Sequence, residues 1–221
     1  MGTTGVPTRP TRRDLALGRV LDPIRLSAEE RLQRFLETGL ELMAAGPAGD
    51  FTVQEVVDRS GQSMRSFYQY FDGKYELMLA VFEDTVRGAA QQLRTQVVPS
   101  ADPLAQLHGF VTGLAVMCHR DSPSSRVLVD FAQTLLTEHE EHAIDTYRPL
   151  IDLLQELLTA GSESGVLRAG IGTDSTAAVM VQVITFDELT QAISGSLDRG
   201  SAGAEAAVLW DLFVNGLGLQ R

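Results

Sequence analysis

The chain is predicted to be all-α, with a small three-helix unit near its N-terminus and a larger helical bundle after it. Three observations carry this. Apolar residues recur at three- and four-residue steps in segment after segment, the period of a helix with one buried face. No alternating strand pattern of useful length occurs. Glycine, proline and capping residues also divide the chain where such helices would start and stop.

Residues 1–25 are rich in Thr, Pro and Gly and carry five Arg against Asp14 and Asp22, a composition that reads as a mobile basic arm. Regular structure is expected from Ser27. Ser27-Ala28-Glu29-Glu30 has the form of a capping box, in which serine and glutamate satisfy orphan backbone amides. Leu32, Phe35, Leu36, Leu40 and Met43 then form an apolar stripe, stopped by Gly46-Pro47. A second box, Thr52-Val53-Gln54-Glu55, opens a short helix with Val53, Val56 and Val57 inward. Ser60-Gly61 breaks it, the glycine suiting a left-handed turn position. Ser63 can cap a third helix anchored by Met64, Phe67 and Phe71. After Asp72-Gly73, Lys74 starts a long helix through Leu77, Met78, Val81, Phe82 and Val86 to about Val97.

The remainder reads as long helices with clear punctuation. Pro103 occupies a tolerated first-turn site ahead of Leu104, Leu107, Val111, Leu114 and Met117. Val127 to Leu136 reads as a buried helix, and Pro149 as the start or kink of the next. Gly161 to Asp174 reads as a loop. Ala177–Ile193 and Ala204–Leu217 are apolar on more than one face, as at a bundle seam between subunits.

Composition narrows the function. The chain of 221 residues has a net charge of −11, which excludes a protein basic all over. The charge is not evenly spread. Residues 1–75 hold ten basic and ten acidic groups, so the whole deficit lies in 76–221. The single Cys118 excludes an internal disulfide framework, and it reads as a packing residue rather than a nucleophile. No run of 18 apolar residues suggests a membrane span, and Leu15 to Gly18 is too short for a signal-peptide core; a cytoplasmic protein is expected.

Two short helices around a glycine turn, preceded by a longer one, match a helix-turn-helix. The second would expose Ser63, Arg65, Ser66, Tyr68 and Gln69, groups suited to phosphate oxygens and base edges. Lys74, at the next helix start, suits a phosphate.

On these residues the chain resembles the TetR family of transcriptional regulators over residues 27–82. The carrying segments are Thr52 to Val57, Ser60-Gly61-Gln62-Ser63, Phe67-Tyr68-Gln69-Tyr70-Phe71 and Lys74. Val57, Gln62 and Tyr70 stand where the family usually has alanine, valine and histidine. The resemblance implies a mobile arm at 1–25, a DNA-binding domain at 26–82, and a regulatory and dimerisation domain at 83–221. It implies a homodimer on a pseudo-palindromic double-stranded operator, most simply as a repressor released by a small-molecule effector. Thr52, Tyr68 and Lys74 would touch phosphates, and Ser63, Arg65, Ser66 and Gln69 would lie near base edges. Tyr70 would touch phosphate or base, and the N-terminal arginines would add minor-groove or backbone contacts. Phe110, Met117, Asp130, Phe131, Tyr147 and Phe186 are candidate ligand-cavity residues.

An enzyme or carrier built on the bundle, with a degenerate helix-turn-helix, is the alternative. It lacks a convincing polar constellation. Glu138-His139-Glu140-Glu141-His142 does not have the H-E-x-x-H spacing and reads as a solvated helix face. No metal, cofactor or catalytic residue is expected.

Overall fold

The computed structural model describes residues 12–45, 50–97, 102–118, 131, 140–168, 172–194 and 202–217. The helices in order are α1 (Arg12–Ala45), α2 (Val53–Ser60), α3 (Met64–Tyr70), α4 (Lys74–Val97) and α5 (Pro103–Cys118), then α6 (Glu140–Glu163), α7 (Thr173–Ser194) and α8 (Ala202–Leu217). No strand occurs among the described residues. The expected helix over 127–136 lies outside them except for Phe131, as do residues 1–11, His119 and Asp130.

Both short helices form as their capping residues dictate. The Thr52 hydroxyl accepts from Glu55 N, and the Glu55 carboxylate accepts from Thr52 N at 2.8 Å, which closes the box. Donation from Thr52 N, and from the Thr52 hydroxyl at 3.0 Å, holds the Glu55 carboxyl below its ordinary pKa. Gly61 ends α2 at φ 65°, and its N–H donates to Val57 O. Ser63 Oγ accepts from Ser66 N to open α3.

The first helix departs from expectation. It runs unbroken from Arg12, so residues 12–25 are helical and Ser27 lies inside the helix. The Ser27 box is not used. Ser27 O and Oγ instead accept from the Arg31 guanidinium, each at 3.0 Å, and Arg25 pairs with Glu29 at 3.2 Å across the expected boundary. Pro23 sits within this helix. Leu21, Ile24, Ala28, Leu32 and Phe35 keep the three- and four-residue steps across the boundary, although Leu21 and Ile24 are exposed and bury nothing there. Smaller differences occur elsewhere. Met64 is exposed rather than an anchor, Pro149 lies inside α6 rather than at its start, and Gly161 belongs to α6 rather than to the loop.

The core is continuous from head to bundle. Phe35 on α1 meets Phe67 and Phe71 at ring centroids 5.6 and 6.0 Å apart, locking α3 against α1. Helix α4 then packs on α1 near its start and on α5 and α6 further along. Its buried stripe, Leu77, Met78, Val81, Phe82, Val86, Leu93 and Val97, runs its whole length. Gly39 permits the α1–α4 approach, since a Cβ there would lie 2.8 Å from Val81 Cγ2. Arg94 grips Glu156 with two bonds of 2.8 and 3.0 Å, tying α4 to α6. Helix α7 packs on α5 and α6, while α8 packs on α5, where His108 and Trp210 meet edge to face at 4.9 Å.

Candidate nucleic-acid interface

Seven residues long, α3 is fixed at both ends, so its outward side is presented rigidly. Phe67 and Phe71 are buried beneath it. On the outer side Ser63, Arg65, Tyr68 and Gln69 are exposed, and Tyr68 keeps 56% of its surface while its ring leans edge-on against Phe67. Thr52 is exposed at the start of α2. All five side chains are therefore open to solvent, and Arg65, Tyr68 and Gln69 lie at three- and four-residue or adjacent steps on one side of α3.

The other three predicted residues are differently placed. Ser66 is 9% exposed, turned toward the core, and its Oγ meets no hydrogen-bond partner among the described residues. It lies one residue before Phe67 on the helix, and a seven-residue segment gives the 3.6-residue period too few repeats to assign its side from sequence. Tyr70 is half-buried against Phe35, and its hydroxyl donates to Ala28 O at 3.0 Å. That bond ties the C-terminal end of α3 to α1 and gives a structural reason for a tyrosine there. Lys74 donates to Phe51 O at 3.0 Å, with its ammonium 5.4 Å from the Phe51 ring centre. It thereby joins the segment before α2 to the first turn of α4.

A second site lies in the bundle. A cavity of about 20 Å³ sits between α4, α5, α6 and α7, enclosed by Val86, Leu114, Met117, Cys118, Tyr147 and Thr185, among others. Burial pushes the Tyr147 phenol well above its ordinary pKa, Cys118 adds to this, and the Thr185 hydroxyl opposes it. Of the predicted lining residues, Met117 and Tyr147 are present. Phe110 is fully buried in general core, and Phe186 is half-buried beside Thr185. Phe131 packs against Tyr75 and Phe82 at centroid distances of 5.9 and 5.5 Å, and Phe82 in turn meets Tyr147 at 5.7 Å. Thr185 and Cys118 were not among the expected lining residues. Thr185 gave no sequence signal, because a lone Thr on an apolar helix usually turns its hydroxyl to the preceding turn, as it also does here to Val181 O at 2.9 Å.

A capped, glycine-turned helix pair with a polar outer side, joined through one long helix to an apolar bundle, defines the architecture of a helix-turn-helix regulator. Residues 35–81 match the family described as bacterial regulatory proteins, tetR family. The whole fold agrees. A TetR-family transcriptional regulator from Pectobacterium atrosepticum superposes with a TM-score of 0.69 at 18% identity, covering 89% of this chain and 98% of that one. The fatty acid degradation regulator FadR from Bacillus halodurans gives 0.67 at 15% identity, with 84% and 99% covered. FadR from Bacillus subtilis, solved with stearoyl-CoA, gives 0.67 at 13% identity over the same shares. No curated protein matches the chain by sequence. Among the described residues no helix is long and apolar enough to cross a membrane.

Proposed function

We propose that this chain is a cytoplasmic, dimeric, sequence-specific DNA-binding regulator, a repressor that a small molecule releases from a palindromic operator. The observation that carries the reading is the rigid outer side of α3, where Arg65, Tyr68 and Gln69 stand exposed above a buried aromatic anchor. In this reading Arg65 and Gln69 read base edges in the major groove, with Ser63 at the groove's rim. Thr52 and Tyr68 take phosphates. Tyr70 and Lys74 serve the interface by fixing α3 and α4 in place, and Ser66 lies buried beneath it. The acidic 83–221 domain stays off the DNA.

The release step follows from the bundle. The cavity beside Tyr147 holds about one water molecule's volume as it stands. An effector must therefore part α4 from α6 and α7, and it favours whichever state gives it that room. The rings of Tyr147, Phe82, Phe131 and Tyr75 run from the cavity to the first turn of α4, beside Lys74. The FadR of Bacillus subtilis was solved in complex with stearoyl-CoA; an effector here would enter the bundle beside Tyr147.

Fluorescence anisotropy against duplexes selected by the protein from a pooled genomic library, beside scrambled duplexes of equal length, tests the reading. A preference of at least about 10³ establishes specific recognition. Equal affinity for selected and scrambled duplexes sinks it and returns attention to the bundle.

A further inference from the structure

We propose that the open groove between α4 and α5 is the mouth through which an uncharged, mainly apolar effector reaches the Tyr147 cavity, with Met117 as the gate between them. The proposal rests on the reading that the bundle takes an effector, and adds to it a route and a chemical class.

The groove is a surface recess of about 430 Å³, lined by Gln92 and Gln96 of α4 and by Thr112, Gly113, Val116 and Met117 of α5, among others. The small cavity beside Tyr147 is buried in the bundle, and Met117 lines it too. Of the described lining residues, Met117 alone belongs to both voids. Its side chain therefore stands between open solvent and the cavity.

The recess follows from the sequence of α5. A Cβ at Gly109 would lie 3.0 Å from Val97 Cγ1, and one at Gly113 would lie 2.6 Å from Leu93 Cδ2. At both points the α5 backbone comes up against α4 side chains with nothing between. Ala105 and Thr112, further out, are also small. A shallow channel is left where larger residues would fill the seam.

Met117 suits a gate. It is half-buried and packed against the core, while its neighbours Leu114 and Cys118 are buried. An unbranched side chain with three rotatable bonds can swing aside without moving the backbone. One rotamer change then joins groove to cavity.

The linings set the class of molecule. The mouth offers the amides of Gln92 and Gln96 and the hydroxyl of Thr112, and the cavity the hydroxyls of Tyr147 and Thr185. The described lining residues of both voids are neutral, so an ion would shed its water there without meeting a counter-charge. An uncharged molecule loses far less. It slides over Val116, Met117 and Leu114, and the inner hydroxyls orient it. Burial keeps the Tyr147 phenol protonated, which preserves a hydroxyl rather than a charge at the inner end.

The chain carries its own reporter of access, since its one cysteine, Cys118, lines the cavity. The test measures alkylation of Cys118 by iodoacetamide and by iodoacetate, a neutral and an anionic reagent of nearly equal size. Each rate is divided by that of the same chain unfolded in urea. In the parent the neutral reagent should be favoured by at least about tenfold on this scale. Met117→Ala should raise the iodoacetamide rate by roughly tenfold, and Met117→Val by less, with thermal unfolding of each variant separating this from opening of the whole fold. Thr112→Phe fills the groove and should cancel most of the gain in M117A/T112F and M117V/T112F. An iodoacetamide rate that neither Met117 variant changes overturns the gate. So does a gain that T112F leaves intact, because the reagent then enters elsewhere. Equal scaled rates for the two reagents overturn the uncharged class. None of these rates involves DNA. Equal binding of selected and scrambled duplexes would sink the regulator and leave the gate standing, whereas a failed gate beside specific DNA binding would strike only the entrance.

Discussion

Arg65→Ala removes the sole guanidinium of α3 from an exposed position and should cost about 1–3 kcal/mol in specific binding, with the melting temperature unchanged. Titrations against operator duplexes substituted one base pair at a time provide the check. A discrimination profile identical to the parent's would show that Arg65 does not read a base. Gly61→Ala separates the scaffold from the reader. A methyl at Gly61 meets nothing within 4 Å, but φ of 65° strains any L-residue, so stability should fall by roughly 1–2 kcal/mol in urea unfolding. At this scale the sequence was most legible where chemistry is local. The Thr52–Glu55 box and the Gly61 turn each need only a few adjacent residues. Ser66 and Tyr70 were not legible, because the direction of Ser66 and the bond from Tyr70 to Ala28 depend on how α3 lies against α1, forty-two residues away in sequence.

Between elements, the junction that matters most is α1 on α4, since it fixes the head to the helix that enters the bundle. Gly39→Ala puts a methyl 2.8 Å from Val81 Cγ2 and 3.5 Å from the Leu77 methyls. The expected loss is about 1–3 kcal/mol, because Val81 and Leu77 are both buried and have little space to retreat. Thermal unfolding of the variant, with V81A as second-site relief, measures it. A variant as stable as the parent would show that α1 and α4 slide apart at no cost. The helices themselves followed from their periods and punctuation, and α2 to α5 begin where their caps and prolines place them. Helix α1 did not, and the reason is instructive. Ser27 and Glu30 spell a start, but a capping box acts only where the backbone turns extended. An uninterrupted three- and four-residue period from Leu21 to Phe35, bridged across the boundary by Arg25 and Glu29, keeps it helical. A capping motif inside a sustained period therefore marks an option, not a boundary.

For the whole molecule, two recognition helices must be held about one DNA turn apart, so the function proposed requires a defined dimer. The described surface offers a place for it. On α8, Val208 and Leu212 are 69% and 59% exposed and stand one helical turn apart; on α7, Val179 and Val183 repeat that spacing. Apolar pairs in such rows on the last two helices are what a four-helix seam buries. The charge division and the apolar final helices were legible in sequence, because both are properties of composition. Which face of α8 meets α5 was not, since that depends on the His108–Trp210 contact. V208E/L212E places four carboxylates in a symmetric seam without touching the buried Leu209 and Phe213. It should yield a monomer in sedimentation equilibrium with parental helix content. Operator affinity should fall by orders of magnitude, while binding to a single half-site stays near the parent's. A dimer of unchanged mass would move the seam elsewhere. A monomer with undiminished operator affinity would strike at the paired-head mechanism itself.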